Sequence, residues 1–306
     1  MKGNDDKNET MRLVAGGTFW MGSNDHYREE APARQVAVEP FLVDKRPVTN
    51  RQFRAFVKAT SYKTLAERKP DPALYPDADP RLLKAGSSVF VGTPGPVQLD
   101  EPRQWWAFIP GACWMHPEGP GSSIATRNDH PVVHVAYEDA EAFAAWAGKR
   151  LMTEAEWEFA ARGGLDRAIF AWGNELAPGG LQMANYWTGD FPWRHDTARG
   201  WHTTSPVGSF PPNGFGLSDM IGNVWEWTSD WYQVASPVQK SCCMPATEES
   251  SRDPNDPGWR FGRKVLKGGS HLCAESYCQR YRPAARHPQT IDTSTTHIGF
   301  RCARSA

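Results

Sequence analysis

Hydrophobic and polar positions alternate along only a few short stretches of this 306-residue chain. Residues 36–43 alternate and predict a β-strand, and residues 13–23 predict two short strands separated by Gly16 and Gly17. Beyond residue 164 the apolar runs are short and are divided by turn residues, which predicts further short strands and loops. The pattern therefore favours a fold with little regular secondary structure.

Helical spacing is found in three segments. Thr49 and Gln52 form a capping-box pattern ahead of a short amphipathic helix. Residues 138–149 place alanine and phenylalanine side chains on one stripe of a second helix. Thr153 and Glu156 form another capping box, and the helix that they begin is expected to end at two consecutive glycines.

Other segments lack both periodicities. Residues 69–121 are rich in proline, glycine and aspartate and contain three tryptophans, so we predict a long irregular segment that builds a functional surface. Residues 242–258 predict a mobile polar loop, and we assign no catalytic role to its neighbouring Cys242 and Cys243. The polar residues 1–12 predict a flexible tail without the apolar stretch of a secretory signal, ahead of a folded part at residues 13–306.

Composition and charge exclude several classes of protein. The 34 basic and 35 acidic residues give a net charge of −1, so nothing favours a nucleic acid or a membrane surface as partner. The mean hydropathy is −0.60 and we expect no membrane-spanning segment. The 27 glycines and 25 prolines exceed the share of roughly 12% in average chains, which argues against a helix-rich or doubly wound fold. A compact, irregular protein is expected, with a core that accommodates many of the 14 tryptophans.

The motif HPVVHVAY places His130 and His134 four residues apart. Pro131 and the valines predict a strand, in which the two rings would share a face without converging on one ion. No acidic residue completes a facial triad, so a structural role is favoured over a metal site. The chain also lacks the HExxH motif and the glycine-rich phosphate and dinucleotide motifs.

Cys273 and Cys278 lie in KGGSHLCAESYCQRYRPAAR with four residues between them. The spacing is compatible with a buried thiol pair, a disulfide or half of a metal site, and only His271 is near enough in sequence to add a zinc ligand. Two thiolates without further ligands suit a soft ion of low coordination number such as Cu(I). Basic neighbours would keep the thiols ionised if they face inward. These neighbours are Lys267, Arg280, Arg282 and Arg286.

A second group of candidate ligands lies in NGFGLSDMIGNVWEWTSDW. Asp219 and Glu226 are seven residues apart, with Gly222 and Asn223 between them to permit an unusual turn. Calcium prefers carboxylates and backbone carbonyls, so the segment could wrap one ion, although it does not match an EF-hand loop. A polar turn ahead of a tryptophan-rich strand is the alternative.

Longer motifs in a fixed order across nearly the whole chain resemble formylglycine-generating enzymes, the sulfatase-modifying oxidases, in an actinobacterial-type version. The wider fold family shares the MGS, PVTN, TEAEWE, GNVWEW and GFR marks. Ser270, Cys273 and Cys278 form the Ser-x-x-Cys-x4-Cys block that separates the oxidase from its relatives. The motifs are GTFWMGS, RPVTNRQFRAFV, HPVVHVAYEDAEAFAAWAGKRLMTEAEWEFAARGG, FPPNGFGLSDMIGNVWEWTSDW, KGGSHLCAESYCQRYRPAAR and THIGFRCA.

The resemblance implies a single domain with an irregular α+β fold, related to C-type lectins and poor in regular secondary structure. It implies that O2 and a thiol reductant convert a cysteine in an unfolded Cys-x-Pro-x-Arg segment of a sulfatase to Cα-formylglycine. Cu(I) would be held by Cys273 and Cys278, with the substrate thiolate as third ligand. Loss of a substrate Cβ hydrogen would give a thioaldehyde, which water would convert to the aldehyde with release of sulfide.

The resemblance also implies roles for further side chains around the cysteines. Ser270 and Tyr277 match active-site positions that would orient oxygen species or the substrate by hydrogen bonding. Trp105, Trp106 and Trp231 are expected to form walls of the substrate cleft.

The resemblance also implies two calcium sites. The residues of the first site are all matched in this sequence, and those of the second are matched in part. The first would use two side chains and, between them, two backbone carbonyls, from Asp219, Gly222, Val224 and Glu226. The second would use Asn185 with the carbonyls of Tyr186 and Trp201. At that site Arg199 stands where secreted relatives carry an aspartate, and Asp196 is close enough to substitute.

The positions of the remaining cysteines indicate the cellular compartment. Members of the secretory pathway carry two structural disulfides, and three of those four positions are here Ala144, Ala161 and Pro283, which leaves Cys302 without a partner. This loss fits a reducing cytoplasm, where Cys113 and Cys302 would be buried as small hydrophobic residues. A monomer is expected.

Three alternatives compete with the oxidase. The sulfoxide synthase of ergothioneine biosynthesis needs an HxxxHxE motif in a helical partner domain, whereas His130 and His134 stand in HxxxHxA. A non-catalytic binding or maturation module of the same fold commonly lacks the two cysteines. A zinc-binding structural protein would bind one tight zinc per chain and show no oxidase activity.

Overall fold

Short strands, three α-helices and several single-turn 3-10 helices make up the regular structure of the computed structural model, which describes residues 10–197, 200–233, 246–256 and 260–306. The α-helices of these ranges are α1 (Asn50–Thr60), α2 (Tyr137–Trp146) and α3 (Glu154–Arg162). The strands are β1 (Met11–Val14), β2 (Gly17–Met21), β3 (Arg34–Val38), β4 (Phe41–Asp44), β5 (Gly86–Phe90), β6 (Trp106–Pro110), β7 (Arg150–Leu151), β8 (Trp225–Trp231), β9 (Arg263–Lys267), β10 (Arg286–Thr290), β11 (Ile298–Gly299) and β12 (Cys302–Ser305).

Both predicted capping boxes are confirmed. At the start of α1 the Thr49 hydroxyl accepts the Gln52 N–H (3.3 Å), and Oε1 of Gln52 accepts the Thr49 N–H (2.9 Å). Thr153 and Glu156 make the same reciprocal bonds at the start of α3, at 3.1 and 2.8 Å. Helix α3 ends where Gly163 takes the left-handed conformation, with φ of 57°.

Two four-stranded sheets carry the fold. One has the strand order β1-β4-β12-β7 with antiparallel neighbours, so the first and last strands of the described chain lie in one sheet. The other has the order β10-β9-β8-β11, which is antiparallel except for the β8–β11 pair. Strands β2 and β3 form an antiparallel hairpin, as do β5 and β6.

An aromatic core is shared by the helices and the sheets. Trp157 of α3 and Trp227 of β8 are fully buried. Their indole N–H groups donate to Oε2 of Glu226 (2.7 Å) and to the Val135 carbonyl (3.0 Å). Buried indoles need such acceptors, and the irregular backbone supplies one of them. The expected single α+β domain with little regular structure is confirmed.

Several predicted boundaries differ from the structure. The strand expected at residues 36–43 is divided into β3 and β4, because Pro40 has no N–H to donate to a ladder. The irregular segment 69–121 contains the β5–β6 hairpin, and α2 ends at Trp146 rather than at residue 149. The strand expected for HPVVHVAY is not formed, since His134 has a left-handed φ of 59°.

The predicted N-terminal tail and the predicted polar loop are described only in part. Strand β1 begins at Met11, within the predicted tail. Of the predicted loop 242–258 the structure describes residues 246–256, and Cys242 and Cys243 lie outside the described residues. None of the helices in the described ranges has the length and apolar character that crossing a membrane requires.

Candidate active site

Two thiols lie side by side in the loop that follows β9. The Cys273 N–H donates to the Ser270 carbonyl (3.0 Å) and the Cys278 N–H to the Ala274 carbonyl (2.8 Å), so the cysteines occupy consecutive turns. The Trp187 N–H donates to the Cys273 carbonyl (3.0 Å) and fixes the first turn from outside the loop. The two Sγ atoms are 3.1 Å apart, and both cysteines are free of disulfides. The loop therefore brings both sulfurs to one point.

The thiols line a cavity of about 340 Å³. Cys273 is buried and Cys278 is half-buried. The cavity wall combines aromatic rings with one guanidinium group and two imidazoles. The aromatic lining residues are Tyr27, Trp105, Trp106, Phe191, Trp225 and Tyr277. A space of this volume can hold a molecule larger than a single ion.

The two thiols differ in acidity. Burial raises the pKa of Cys273. The hydrogen bond with Cys273, assisted by the Arg280 guanidinium, lowers the pKa of Cys278. Arg280 is itself held by Glu29, with 2.5 Å between Nη2 and Oε1, and lies 4.0 Å from the centre of the Tyr27 ring. Cys278 is therefore the more acidic of the two thiols.

Of the four basic neighbours predicted from sequence, only Arg280 lines the cavity. The other three basic residues each form an ion pair with a carboxylate outside the cavity. The pairs are Lys267 with Glu158 (2.9 Å), Arg282 with Glu30 (2.5 Å) and Arg286 with Glu154 (2.7 Å). Among these four residues, the positive charge beside the thiols is therefore that of Arg280, which also pairs with Glu29.

Ser270 and Tyr277, both predicted from the resemblance, line the same cavity. Oγ of the buried Ser270 accepts the Leu272 N–H (3.2 Å), and a hydroxyl that accepts one hydrogen bond can still donate another. The Tyr277 ring stacks on Phe191, with 4.7 Å between centroids and 3° between planes, and meets Trp105 edge-on at 5.6 Å. Burial raises the pKa of Tyr277, so its phenol stays protonated and can donate.

Of the three tryptophans predicted to form walls of the cleft, two line the cavity and one does not. Trp105, fully buried, and Trp106, half-buried, line the cavity. Trp231 is not among the lining residues, and the Lys264 ammonium lies 3.6 Å from the centre of its ring. Trp225, at the other end of β8, lines the cavity instead. The register of β8 shifts between residues 227 and 231, which a sequence pattern does not reveal.

Of the first predicted calcium site, Asp219 fits a cation better than Glu226 does. Asp219 is buried, its Oδ2 accepts the Gly208 N–H (2.6 Å), and burial raises its pKa to about 6. Both oxygens of Glu226 are already occupied, by the Arg301 guanidinium and by the Trp157 indole. The geometry therefore does not match the predicted Glu226 ligand.

The backbone around Asp219 is nonetheless tightly wound. Gly222 has φ of 75°, and a Cβ there would lie 2.5 Å from the Asn185 carbonyl oxygen, so only glycine fits. Val224 is buried at the end of this turn. The two predicted calcium sites are therefore neighbours, because Gly222 of the first site packs against the backbone of Asn185, which belongs to the second.

The residues predicted for the second calcium site converge. Asn185, Tyr186, Trp201 and Asp196 all line one small cavity of about 10 Å³, the size of a single ion or water. The amide of Asn185 donates to the Thr203 carbonyl (3.0 Å), which leaves its side-chain oxygen available. Arg199 lies outside the described residues.

The HPVVHVAY histidines serve the fold, as favoured from sequence. Nδ1 and Nε2 of His134 contact Oγ of Ser87 (2.7 Å) and the Pro117 carbonyl (2.8 Å). His130 contacts Oγ1 of Thr204 (2.9 Å). Within the described residues there is no group of three or more His, Cys, Asp or Glu side chains that could hold a metal ion.

The donor set of the thiol pair fits a soft ion. In the part of the chain that the structure describes, the two adjacent sulfurs have no third protein ligand, which matches the preference of Cu(I) for few, soft donors, and the pKa of Cys278 is lowered. The cavity beside the sulfurs leaves room for a further ligand from a bound molecule.

Comparison with known proteins gives consistent matches along the whole chain. Residues 1–306 match the family model of the sulfatase-modifying factor enzyme 1-like domain. The chain is 57% identical over 292 residues to the formylglycine-generating enzyme of Mycobacterium tuberculosis, covering 94% of this chain and 95% of that protein. It is 50% identical over 298 residues to the formylglycine-generating enzyme of Thermomonospora curvata, covering 96% and 92%.

A solved structure shares the fold. PvdO from Pseudomonas aeruginosa superposes with a TM-score of 0.62 over 97% of this chain and 94% of its own, at 24% sequence identity.

Proposed function

This chain belongs to the sulfatase-modifying factor enzyme 1-like family, and we propose that it is a formylglycine-generating oxidase that acts through Cys273 and Cys278. Its substrate is a cysteine within a Cys-x-Pro-x-Arg segment of a sulfatase, which becomes Cα-formylglycine. The observation that carries the proposal is the pair of free thiols, 3.1 Å apart, on the wall of a cavity large enough for a peptide. The identity to two proteins named formylglycine-generating enzyme supports it.

The overall reaction consumes O2 and needs a reductant. The substrate CH2–SH group loses two electrons and two protons and becomes a thioaldehyde, which water converts to the aldehyde with release of hydrogen sulfide. A thiol reductant supplies two further electrons and two protons, so that O2 takes up four of each and leaves as two molecules of water. Cu(I), held by the Cys273 and Cys278 thiolates, would supply an open coordination position for the substrate sulfur and the redox chemistry with O2.

The protein groups around the pair prepare the site for a third sulfur. Arg280 offsets the negative charge of the Cys278 thiolate, and Glu29 fixes that guanidinium in place. Trp105, Phe191 and Tyr277 pack against one another and form an aromatic wall beside the thiols. Ser270 and the Tyr277 phenol donate hydrogen bonds to oxygen species or to the peptide.

The substrate binds as an unfolded segment, because a cavity of this volume can admit an extended chain but not a folded domain. Function in a reducing cytoplasm is supported by Cys113 and Cys302, which are both buried and free of disulfides. The protein acts as a monomer, without nucleic acid or membrane as partner.

Two calcium ions are proposed as cofactors in addition to copper. One ion binds at Asp219 with the Gly222 and Val224 carbonyls, and a second at Asn185 with the Tyr186 and Trp201 carbonyls. The support for the first is a buried carboxylate beside a tightly wound turn, and for the second the convergence of its residues on one small cavity. Glu226 would have to exchange its contact with Arg301 before it could join the first ion.

Mass spectrometry of a Cys-x-Pro-x-Arg peptide tests the proposed function. The peptide is incubated with Cu(I)-loaded protein, O2 and a thiol reductant, and we expect its cysteine to become an aldehyde only when copper is present. Binding of the peptide without conversion would overturn the oxidase and favour the non-catalytic module of the same fold.

A further inference from the structure

The small cavity of the second proposed calcium site has an imidazole in its wall. His195 lines this cavity together with Asn185, Tyr186, Asp196 and Trp201. Its Nδ1 is buried and has no hydrogen-bond partner among the residues that the structure describes. A buried polar atom without a partner is costly, so this nitrogen marks a place where a ligand atom belongs.

Two other histidines show what a structural imidazole looks like in this fold. Both ring nitrogens of His134 meet protein oxygens, at 2.7 and 2.8 Å. Nδ1 of His271 meets the Asn223 carbonyl oxygen at 2.8 Å. Nδ1 of His195 has no such contact within the described residues, although it is shielded from solvent. In the tautomer that carries its proton on Nε2, this nitrogen keeps an unused lone pair.

The His195 ring is held in place by stacking. It lies on the Trp187 indole, with 4.2 Å between centroids and 12° between planes. The Trp187 N–H donates to the Cys273 carbonyl (3.0 Å), which anchors this residue to the loop of the thiol pair. The imidazole is therefore positioned before any ion arrives, which lowers the cost of binding one.

Oxygen atoms of three kinds belong to the same cavity wall. The amide group of Asn185 is oriented by the hydrogen bond that it donates, which leaves its side-chain oxygen available. Asp196 adds a carboxylate, and its backbone is fixed because its N–H donates to the Thr188 carbonyl (2.8 Å) and its own carbonyl accepts the Thr188 hydroxyl. The third kind is the pair of backbone carbonyls proposed above as calcium ligands.

The Asp196 carboxylate is available as a ligand. Gly189 has φ of 93°, and a Cβ there would lie 2.8 Å from Oδ2 of Asp196, so the glycine leaves room for this carboxylate. Nε of Arg194 lies 3.6 Å from Oδ1, which is too long for a hydrogen bond. Nη2 of Arg194 pairs with Asp190 instead, at 2.9 Å.

This set of donors suits a divalent transition-metal ion better than calcium. Calcium takes oxygen ligands, whereas first-row transition ions accept an imidazole nitrogen together with carboxylate and carbonyl oxygens. Only two of the lining side chains, His195 and Asp196, are of the types that make up zinc clusters, so the remaining ligands are an amide oxygen, backbone carbonyls and water. The volume of about 10 Å³ admits a single ion.

We propose that Nδ1 of His195 ligates the ion of this cavity, which thereby selects a divalent first-row transition-metal ion over calcium. Asn185 and Asp196 supply side-chain oxygens to the same ion. The inference rests on the proposed function in one respect, because it takes this cavity as an ion site. Calcium occupies the cavity only in the absence of such an ion, whereas the Asp219 site, whose proposed ligands are all oxygens, stays a calcium site.

Electron spin echo envelope modulation of the Mn(II)-loaded protein tests the ligand directly. The protein is used reduced and without copper, since Mn(II) prefers oxygen and nitrogen donors to thiolates. We expect modulation from a directly bound imidazole nitrogen, and its frequencies should change when the protein is made with histidine that carries the heavy nitrogen isotope. Added calcium should displace Mn(II) from the Asp219 site at concentrations that leave this cavity loaded.

Three variants locate the ligand. His195→Gln should lose the modulation and bind Mn(II) in this cavity at least about tenfold more weakly. Asp196→Asn should also weaken binding but should keep the modulation. His202→Gln is the matched control, because it changes an exposed histidine outside the cavity wall whose ring lies 6.3 Å from that of His195, and it should behave as the wild type. Melting temperatures report whether each variant is folded.

The outcomes separate this inference from the proposed function. A Mn(II)-loaded wild type without histidine modulation, or a folded His195→Gln variant that keeps it, overturns the nitrogen ligand and leaves calcium as the ion of this cavity. A wild type whose Mn(II) and calcium titrations match those of Asp196→Asn overturns the cavity as an ion site, and the inference with it. Peptide oxidation by the copper-loaded protein is measured separately and reports on the oxidase alone.

Discussion

The Arg301 guanidinium and the Glu226 carboxylate form a fully buried ion pair, with 2.7 Å between Nη2 and Oε1. The same guanidinium donates to the carbonyls of Ser218 (3.0 Å) and Asp219 (2.9 Å). Arg301 thus ties β8 to the turn that holds Asp219. A residue expected from sequence to be a calcium ligand serves in this structure as the counter-ion of an arginine.

Glu226→Gln should strongly destabilise the fold. Removing one partner leaves the Arg301 charge buried and uncompensated, which costs about 3–5 kcal/mol. Urea denaturation should show this loss equally with calcium and with a chelator. Asp129→Asn, which breaks the exposed pair with Arg51, is the matched control and should change little. A loss seen only in the presence of calcium would instead identify Glu226 as a ligand of the ion.

The effect of Asp219→Asn on thermal stability should change sign when calcium is added. The pKa of Asp219 is raised to about 6 from 3.8, so the folded protein binds this proton more tightly than the unfolded chain does. Without calcium the charged carboxylate then destabilises the fold at neutral pH, by up to about 3 kcal/mol, and stability recovers as the pH falls from about 6 towards 3.8. The variant should therefore melt at or above the wild type in chelator.

With calcium the order should invert, because an ion that binds only the folded state stabilises it, by about 2.7 kcal/mol at a hundredfold excess over its dissociation constant. Melting curves of both proteins, in chelator and in calcium, check this. Identical responses of the two proteins to calcium would exclude an ion at Asp219.

Local signals in the sequence predicted the elements that depend on local contacts. The capping boxes at Thr49 and Thr153 were readable because both partners lie within one helical turn. The pairing of Cys273 with Cys278 was readable for the same reason, since one short loop positions both. Motifs shared with the family extended this prediction to Ser270.

Contacts between distant segments could not be predicted. Glu226 meets Arg301 across 75 residues of chain, so its sequence neighbours indicated a metal ligand and not an ion pair. Trp225, at one end of β8, lines the cavity, whereas Trp231, at the other end, does not, and only the folded backbone shows which end faces the thiols. Tyr27 comes from another segment with no pattern that singles it out, and only the folded backbone brings it to the thiols.

Cys278→Ser should abolish aldehyde formation while the protein stays folded. The substitution removes a half-buried sulfur on a cavity wall, so little packing is lost, but a hydroxyl is a poor ligand for a soft ion. Mass spectrometry of the peptide measures conversion, and titration with a Cu(I) competitor measures metal affinity. Cys113→Ser, at a buried free thiol outside this cavity, is the control and should keep the activity. Full turnover by the Cys278 variant would refute the thiol pair as the reactive site.

Arg280→Gln should make the Cys278 thiol less acidic. The guanidinium is one of the groups that lower the pKa of Cys278, so a neutral side chain of similar shape should raise that pKa and shift the thiolate's appearance to higher pH. In metal-free reduced protein, iodoacetamide alkylation of Cys278, followed by peptide mapping, should then slow several-fold at neutral pH and recover at alkaline pH. Arg280→Lys keeps the charge and should keep the profile, as should Arg167→Gln, whose guanidinium lies over Trp20. An unshifted profile for Arg280→Gln would mean that the hydrogen bond with Cys273 alone sets the acidity of Cys278.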